Sequence, residues 1–95
     1  MEEVKQALCE KLQLKTQRVL SYFLTVSIVE VEEIGTVEVY GIRVEEMSQT
    51  GERSATVIHN ITSNRKRMEQ FIYKIAKGAV FAGQLQDVVE DFLLQ

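Results

Sequence analysis

The spacing of apolar residues along this chain changes period twice. Over residues 2–12, Val4, Leu8 and Leu12 recur every four positions with Ala7 beside them, which predicts a short amphipathic helix. A rival reading starts a strand near Leu12, because Leu12, Leu14 and Thr16 alternate with polar neighbours. From Leu20 the period is two. Leu20, Tyr22, Leu24, Val26 and Ile28 alternate with mostly polar residues, the pattern of a strand buried on one face. Glu33-Ile34-Gly35 reads as a hairpin loop, with Gly35 in the left-handed conformation such loops need. That loop sets Ile28 opposite Tyr40, Val26 opposite Ile42 and Leu24 opposite Val44. Ser48-Gln49-Thr50-Gly51 supplies a second turn, which sets Val44 opposite Ala55, Ile42 opposite Val57 and Tyr40 opposite His59.

The period returns to 3.6 beyond the third strand. Ser63 is an N-cap candidate, because its hydroxyl can accept from an otherwise unpaired backbone N–H. Met68, Phe71, Ile72, Ile75 and Ala76 then follow one helical stripe, and Gly78 is placed to stop it. After a connector through Phe81, a last helix carries Leu85, Val88, Val89, Phe92 and Leu93 on one face. The expected fold is α+β in the order α-β-β-β-α-α, a three-stranded antiparallel meander with helices packed mainly on one face. Residues 1–18 form the N-terminal helix and connector, 19–61 the sheet, and 63–95 the two C-terminal helices. Ile42 and Val57 are expected at the sheet centre, against Phe71, Ile75, Val88 and Phe92.

Composition narrows the class. The 95 residues suffice for one domain, and 45% apolar with 26% charged residues argues against disorder. A single cysteine, Cys9, excludes an internal disulfide and fits a reducing compartment. The longest apolar stretch, residues 19–29, is interrupted by Ser21, Thr25 and Ser27 and is too short to span a bilayer as a helix. Met1-Glu2-Glu3 lacks the basic-then-apolar order of a signal peptide, so a cytoplasmic protein with no membrane partner is expected. Net charge is −3, but the charges are segregated. Residues 28–52 hold seven acids against Arg43, and residues 64–78 hold five bases against Glu69. Such a dipolar layout steers encounters and says little about fold.

Three segments, Tyr40-Gly41-Ile42, Ile61-Thr62-Ser63 and the C-terminal Leu85-Gln86-Asp87-Val88-Val89-Glu90-Asp91-Phe92-Leu93, resemble in order and spacing a family of small bacterial proteins. That family, mostly from clostridia-like bacteria, is a domain of unknown function. The resemblance covers residues 22–93. The family usually carries a histidine just before the leucine of the last motif, where this chain has Gln84. The resemblance implies a bacterial cytoplasmic protein and brings no activity, substrate or catalytic residue.

The residues themselves suggest little chemistry. A thiol–imidazole pair of Cys9 and His59 is conceivable, since an imidazole lowers a nearby thiol pKa. Cys9, however, is expected mid-helix, and His59 on the packed face beside Tyr40. Asp87, Glu90 and Asp91 share a helix face that reads as a solvated exterior, since hard-cation sites draw ligands from several elements. No catalytic, cofactor or metal residue is assigned, and no enzyme activity is expected. Lys66, Arg67, Lys74 and Lys77 lie opposite the apolar stripe of the basic helix and, with Arg65 at its N-terminus, make a candidate polyanion patch. The acidic pI, near 5.2, weighs against nucleic acid as the partner without excluding it. The register above also pairs Val29 with Val39 and Val31 with Val37 on the sheet face away from the helices, a face expected to be polar. Either the N-terminal helix covers them, with Leu8 and Leu12 on the valines, or they form an interface. The function expected is that of a small interaction or regulatory module that self-associates as a homodimer or binds an unknown protein. The alternative is a nucleic-acid-binding accessory protein using the helix over 64–78.

Overall fold

The computed structural model describes the backbone of residues 3–13 and 18–94, with side chains from Arg18 to Leu94. Four strands form one antiparallel sheet in sequence order: β1 (Glu3–Gln13), β2 (Val19–Val31), β3 (Gly35–Met47) and β4 (Arg53–Thr62). Helix α1 (Arg65–Lys77), a single 3-10 turn (Ala82–Gln84) and helix α2 (Leu85–Leu93) follow. The class is α+β as expected, but the order is not. The segment read as an N-terminal helix is strand β1, which pairs with β2 from Glu3 opposite Ile28 to Gln13 opposite Val19. A spacing of four is also a multiple of two, so Val4, Leu8 and Leu12 suit either period. Pairing decides, because the edge of β2 would otherwise present a row of open hydrogen-bonding groups. The register slips between Leu8 and Glu10, so one residue there bulges.

The β2–β3 register differs from expectation by two residues. Ile34 N–H donates to the Val31 carbonyl at 3.2 Å, closing a turn over Glu32 and Glu33. Glu33 adopts a positive φ of 73°, and Gly35, with φ of 98°, lies opposite Val31 at the head of the strand. Val26 therefore faces Tyr40, Leu24 faces Ile42 and Tyr22 faces Val44. A two-residue shift preserves parity, so every side chain keeps its expected face.

The β3–β4 register differs by one, and that does change faces. Gly51 N–H donates to the Ser48 carbonyl at 3.0 Å, and Ser48 N–H to the Glu52 carbonyl at 2.8 Å. The loop is thus Gln49-Thr50-Gly51, with Gly51 left-handed, instead of four residues. Ile58 now faces Ile42, while Val57 faces Arg43 and lies outside the core. His59 is exposed instead of packed beside Tyr40.

Past Ile58 the pairing jumps, and Tyr40 meets Thr62. The extra β4 residues bulge around Asn60, which takes a φ of 58°. The bulge lies against Gly41, where an added Cβ would meet the Ile58 carbonyl oxygen, Thr25 Oγ1 at 2.7 Å and His59 Cα at 2.8 Å. It also delivers Asn64, not Ser63, as the α1 N-cap, with Asn64 Oδ1 accepting from Arg67 N–H at 3.0 Å. Gly78 caps the other end. Ala79 takes the left-handed φ of 50°, and Val80 N–H reaches back to the Ile75 carbonyl at 3.1 Å.

The core fills the space between the sheet and the two helices. Leu20, Tyr22, Ile42 and Val44 are fully buried from the sheet side, as are Met68 of α1 and Leu85 of α2. Ile42→Ala should cost about 2–5 kcal/mol in urea unfolding, as for other buried large-to-small changes. Gly41→Ala should cost at least about 1–3 kcal/mol, since the methyl meets backbone that cannot yield without moving β4.

Candidate functional site

The hairpin of β2 and β3 outruns its neighbours. Among the described residues, β1 reaches Ile28 on β2, and β4 reaches Tyr40 on β3. Among the described residues, no strand flanks the two-stranded ribbon over 29–37. Val29 lies opposite Val37, Val39 opposite Ser27, and Val31 opposite Gly35. The four valines share one face, as expected, but they are staggered and not paired as Val29–Val39 and Val31–Val37. Val31 is 36% exposed, and Ile34 at the tip 73%. Cover by an N-terminal helix does not arise, since β1 lies beside β2 as a strand; the side chains of Leu8 and Leu12, expected on the valines, lie outside the described part of the structure. Glu30, Glu32, Glu33 and Glu38 are exposed around the ribbon. At its root the Tyr40 hydroxyl donates to Glu38 Oε2 at 2.6 Å, which raises the tyrosine pKa, and the Arg65 guanidinium lies 5.9 Å from the Tyr40 ring centre.

The five cations of α1 do not act as one patch. Arg65 Nε donates to Glu69 Oε1 at 2.8 Å, one helical turn away, and Lys77 Nζ lies 4.7 Å from the Tyr73 ring centre. Lys66 is exposed. Arg67 and Lys74 instead flank a groove of about 490 Å³ between α1 and α2. Its apolar lining includes Phe71, Ile75, Val80, Val88 and Phe92, with Gln70 and Asp91 at the polar margin. The Phe71 and Phe92 ring centres lie 4.4 Å apart with the rings tilted by 33°, and the Arg67 guanidinium lies 4.7 Å from the Phe92 ring centre. Sequence reasoning missed this groove. Its apolar residues belong mostly to the two core-facing stripes, and only the packing of the helices shows that Val88, with Val80 of the connector, stays half-buried beside the nearly covered Phe71, Ile75 and Phe92. The available signal was the seven-residue spacing of Arg67 and Lys74, which puts both on one side of α1.

Two polar struts fix the far end of the helical layer. Tyr22 hydroxyl donates to the Val80 carbonyl at 2.9 Å, and Ala82 N–H donates to Glu46 Oε1 at 2.7 Å. Burial, with the nearby Glu46 carboxylate second, pushes the Tyr22 pKa up to about 12. His59 is exposed on β4, and the side chain of Cys9 lies outside the described residues, so the thiol–imidazole pairing finds no support. Among the described residues, no three His, Cys, Asp or Glu side chains converge as metal ligands. No helix among them is long and apolar enough to cross a membrane.

Compared with known protein families, residues 1–95 match a family of unknown function, DUF6514. The chain belongs to this family. The match takes in the N-terminal strand as well as the segments from Tyr22 onward that carried the resemblance, and it assigns no biochemical function. No curated protein and no solved structure matches the chain.

The Tyr22 environment gives a pH dependence with a definite sign. The folded tyrosine holds its proton to about pH 12, whereas an unfolded tyrosine releases it near pH 10. Unfolding therefore releases a proton in that interval, and this contribution, complete below about pH 10, is lost as pH rises towards 12. Denaturation followed between pH 9 and 12 should show stability falling, and Tyr22→Phe should flatten that fall while costing about 1 kcal/mol at neutral pH.

Proposed function

We propose that this member of DUF6514 is a non-enzymatic interaction module that self-associates through its projecting β2–β3 hairpin. The observation that carries the reading is the valine ladder. Val29 and Val37 are half-buried on one face of the ribbon over 29–37, Val39 is half-buried at its root opposite the fully buried Ser27, and Val31 is 36% exposed at its outer end. Water contact with such a face is unfavourable, and contiguous apolar patches of this kind mark interaction sites. The surrounding glutamates suit a surface that must stay dispersed until it meets its partner. Two copies burying the ladder about a twofold axis form a homodimer of the commonest symmetry. The proposal extends to a bacterial, clostridia-like source and a cytoplasmic setting, in keeping with the single cysteine.

Nucleic-acid binding by α1 is the lesser reading. Arg65 is engaged by Glu69, Lys77 lies over Tyr73, and the domain carries a net charge of −3.

The valine reading is tested by the double substitution Val31→Thr with Val37→Thr. Threonine keeps strand propensity and removes apolar surface. In sedimentation velocity at micromolar concentration, the variant should stay folded and shift towards monomer relative to the parent. A parent that is monomeric throughout the range, or a variant that associates equally well, sinks the reading.

A further inference from the structure

We propose that the hairpin tip of one molecule seats in the α1–α2 groove of a second copy, joining molecules head to tail. The inference rests on the reading above only in that the chain self-associates through its hairpin, and it names the α1–α2 groove, in place of a second valine face, as the receiving surface.

Tip and groove are complementary in charge. Residues 19–42 contain no lysine or arginine, while Glu30, Glu32 and Glu33 are exposed at the tip. Arg67 and Lys74 stand on the same side of α1, about 10 Å apart along its axis at 1.5 Å per residue. Among the described residues neither is ion-paired, though the Arg67 guanidinium lies against the Phe92 ring and must turn outward to meet a carboxylate, and Asp91 is the one acid in the groove lining.

Their apolar parts also correspond. Ile34 projects from the turn with 73% of its surface in water, directly after Glu32 and Glu33. The groove offers a narrow apolar strip beside its two cations, in which Val88 is half-buried and Phe71 and Phe92 keep only 7% and 8% of their surface exposed. Its volume of about 490 Å³ falls within the roughly 300–1,000 Å³ of sites that take a compact ligand. The tip thus presents one apolar side chain next to two adjacent carboxylates: Ile34 meets the apolar surface of the groove while Glu32 and Glu33 lie towards Arg67 and Lys74.

The contact joins two molecules, not two parts of one. Arg65, at the start of α1, lies beside Tyr40. At about 3.3 Å per residue, the seven residues from Tyr40 to Glu33 carry the tip roughly 20 Å beyond that point. A tip-to-groove contact is heterologous, so each molecule gives one tip and receives another, and association continues beyond the dimer unless the ring closes.

Reciprocal charge reversal in the full-length chain tests this. One variant carries Glu32→Lys with Glu33→Lys, the other Arg67→Glu with Lys74→Glu. All four positions are exposed, so both should retain the parent's circular dichroism. In sedimentation velocity each variant alone should associate at least about tenfold more weakly than the parent, because like charges then meet. An equimolar mixture should recover association, since each tip finds a groove of opposite charge. Ile34→Ser, which alters no charge, should weaken association as well, and added salt should weaken the parent. Variants that associate like the parent, a mixture that fails to recover, or a parent monomeric up to ~1 mM would overturn the proposal. Should Val31→Thr with Val37→Thr disrupt association while the charge reversals do not, the face-to-face valine interface stands and the tip contact fails. The opposite pair of results leaves the tip contact standing and removes the valine interface.

Discussion

The thirteen-residue pairing of β2 with β3 is the reference for every other part of this protein. Its register, closed by the Val31–Ile34 turn, gives even-numbered positions of both strands the face that meets the helices. Leu20, Tyr22, Leu24, Tyr40, Ile42 and Val44 are buried there. The same parity sends Val29, Val31, Val37 and Val39 to the opposite face. A one-residue slip would exchange the two sets, so the core and the valine ladder have a common origin.

Gly41 passes that order on to the helices. Without a Cβ it lets β4 bulge against the sheet, and the bulge realigns the chain so that Thr62 meets Tyr40 and Asn64 caps α1. The helical layer is then tied at both ends. Arg65 and Tyr40 meet near the hairpin root, while Tyr22 and Glu46 hold the Val80–Ala82 connector at the other end. With its ends fixed, the pair of helices leaves the groove beside the Phe71–Phe92 contact where it is. Acidic ribbon and cation-rimmed groove thus occupy different parts of one rigid scaffold, the arrangement that head-to-tail association requires.

The charge segregation visible along the chain acquires a different meaning in three dimensions. A basic stretch on a helix suggests a polyanion, because its cations are counted as free. Here Arg65 is drawn to Glu69, Lys77 to the Tyr73 ring and Arg67 to the Phe92 ring, and Arg67 and Lys74 border an apolar surface. A flat polyphosphate makes no use of that floor, whereas an acidic segment with an apolar side chain does.

Periodicity alone determined three of the four strands, both helices and the α+β class, because one-sided burial leaves a period of two or of 3.6 in the sequence. It also determined the valine face, since a hairpin slip of two residues leaves parity intact. The first strand was not legible in this way, because leucines four apart satisfy either period and only a neighbouring strand edge selects between them. The face of β4 depended on whether Gly51 falls inside its loop, a difference of one residue that local turn preference does not resolve. Likewise, Val57 and Ile58 are both good strand residues, and pairing with β3 decides which one enters the core. The α1–α2 groove belongs wholly to the tertiary structure: apolar stripes show which residues seek cover, and helix packing decides how much of that cover they receive.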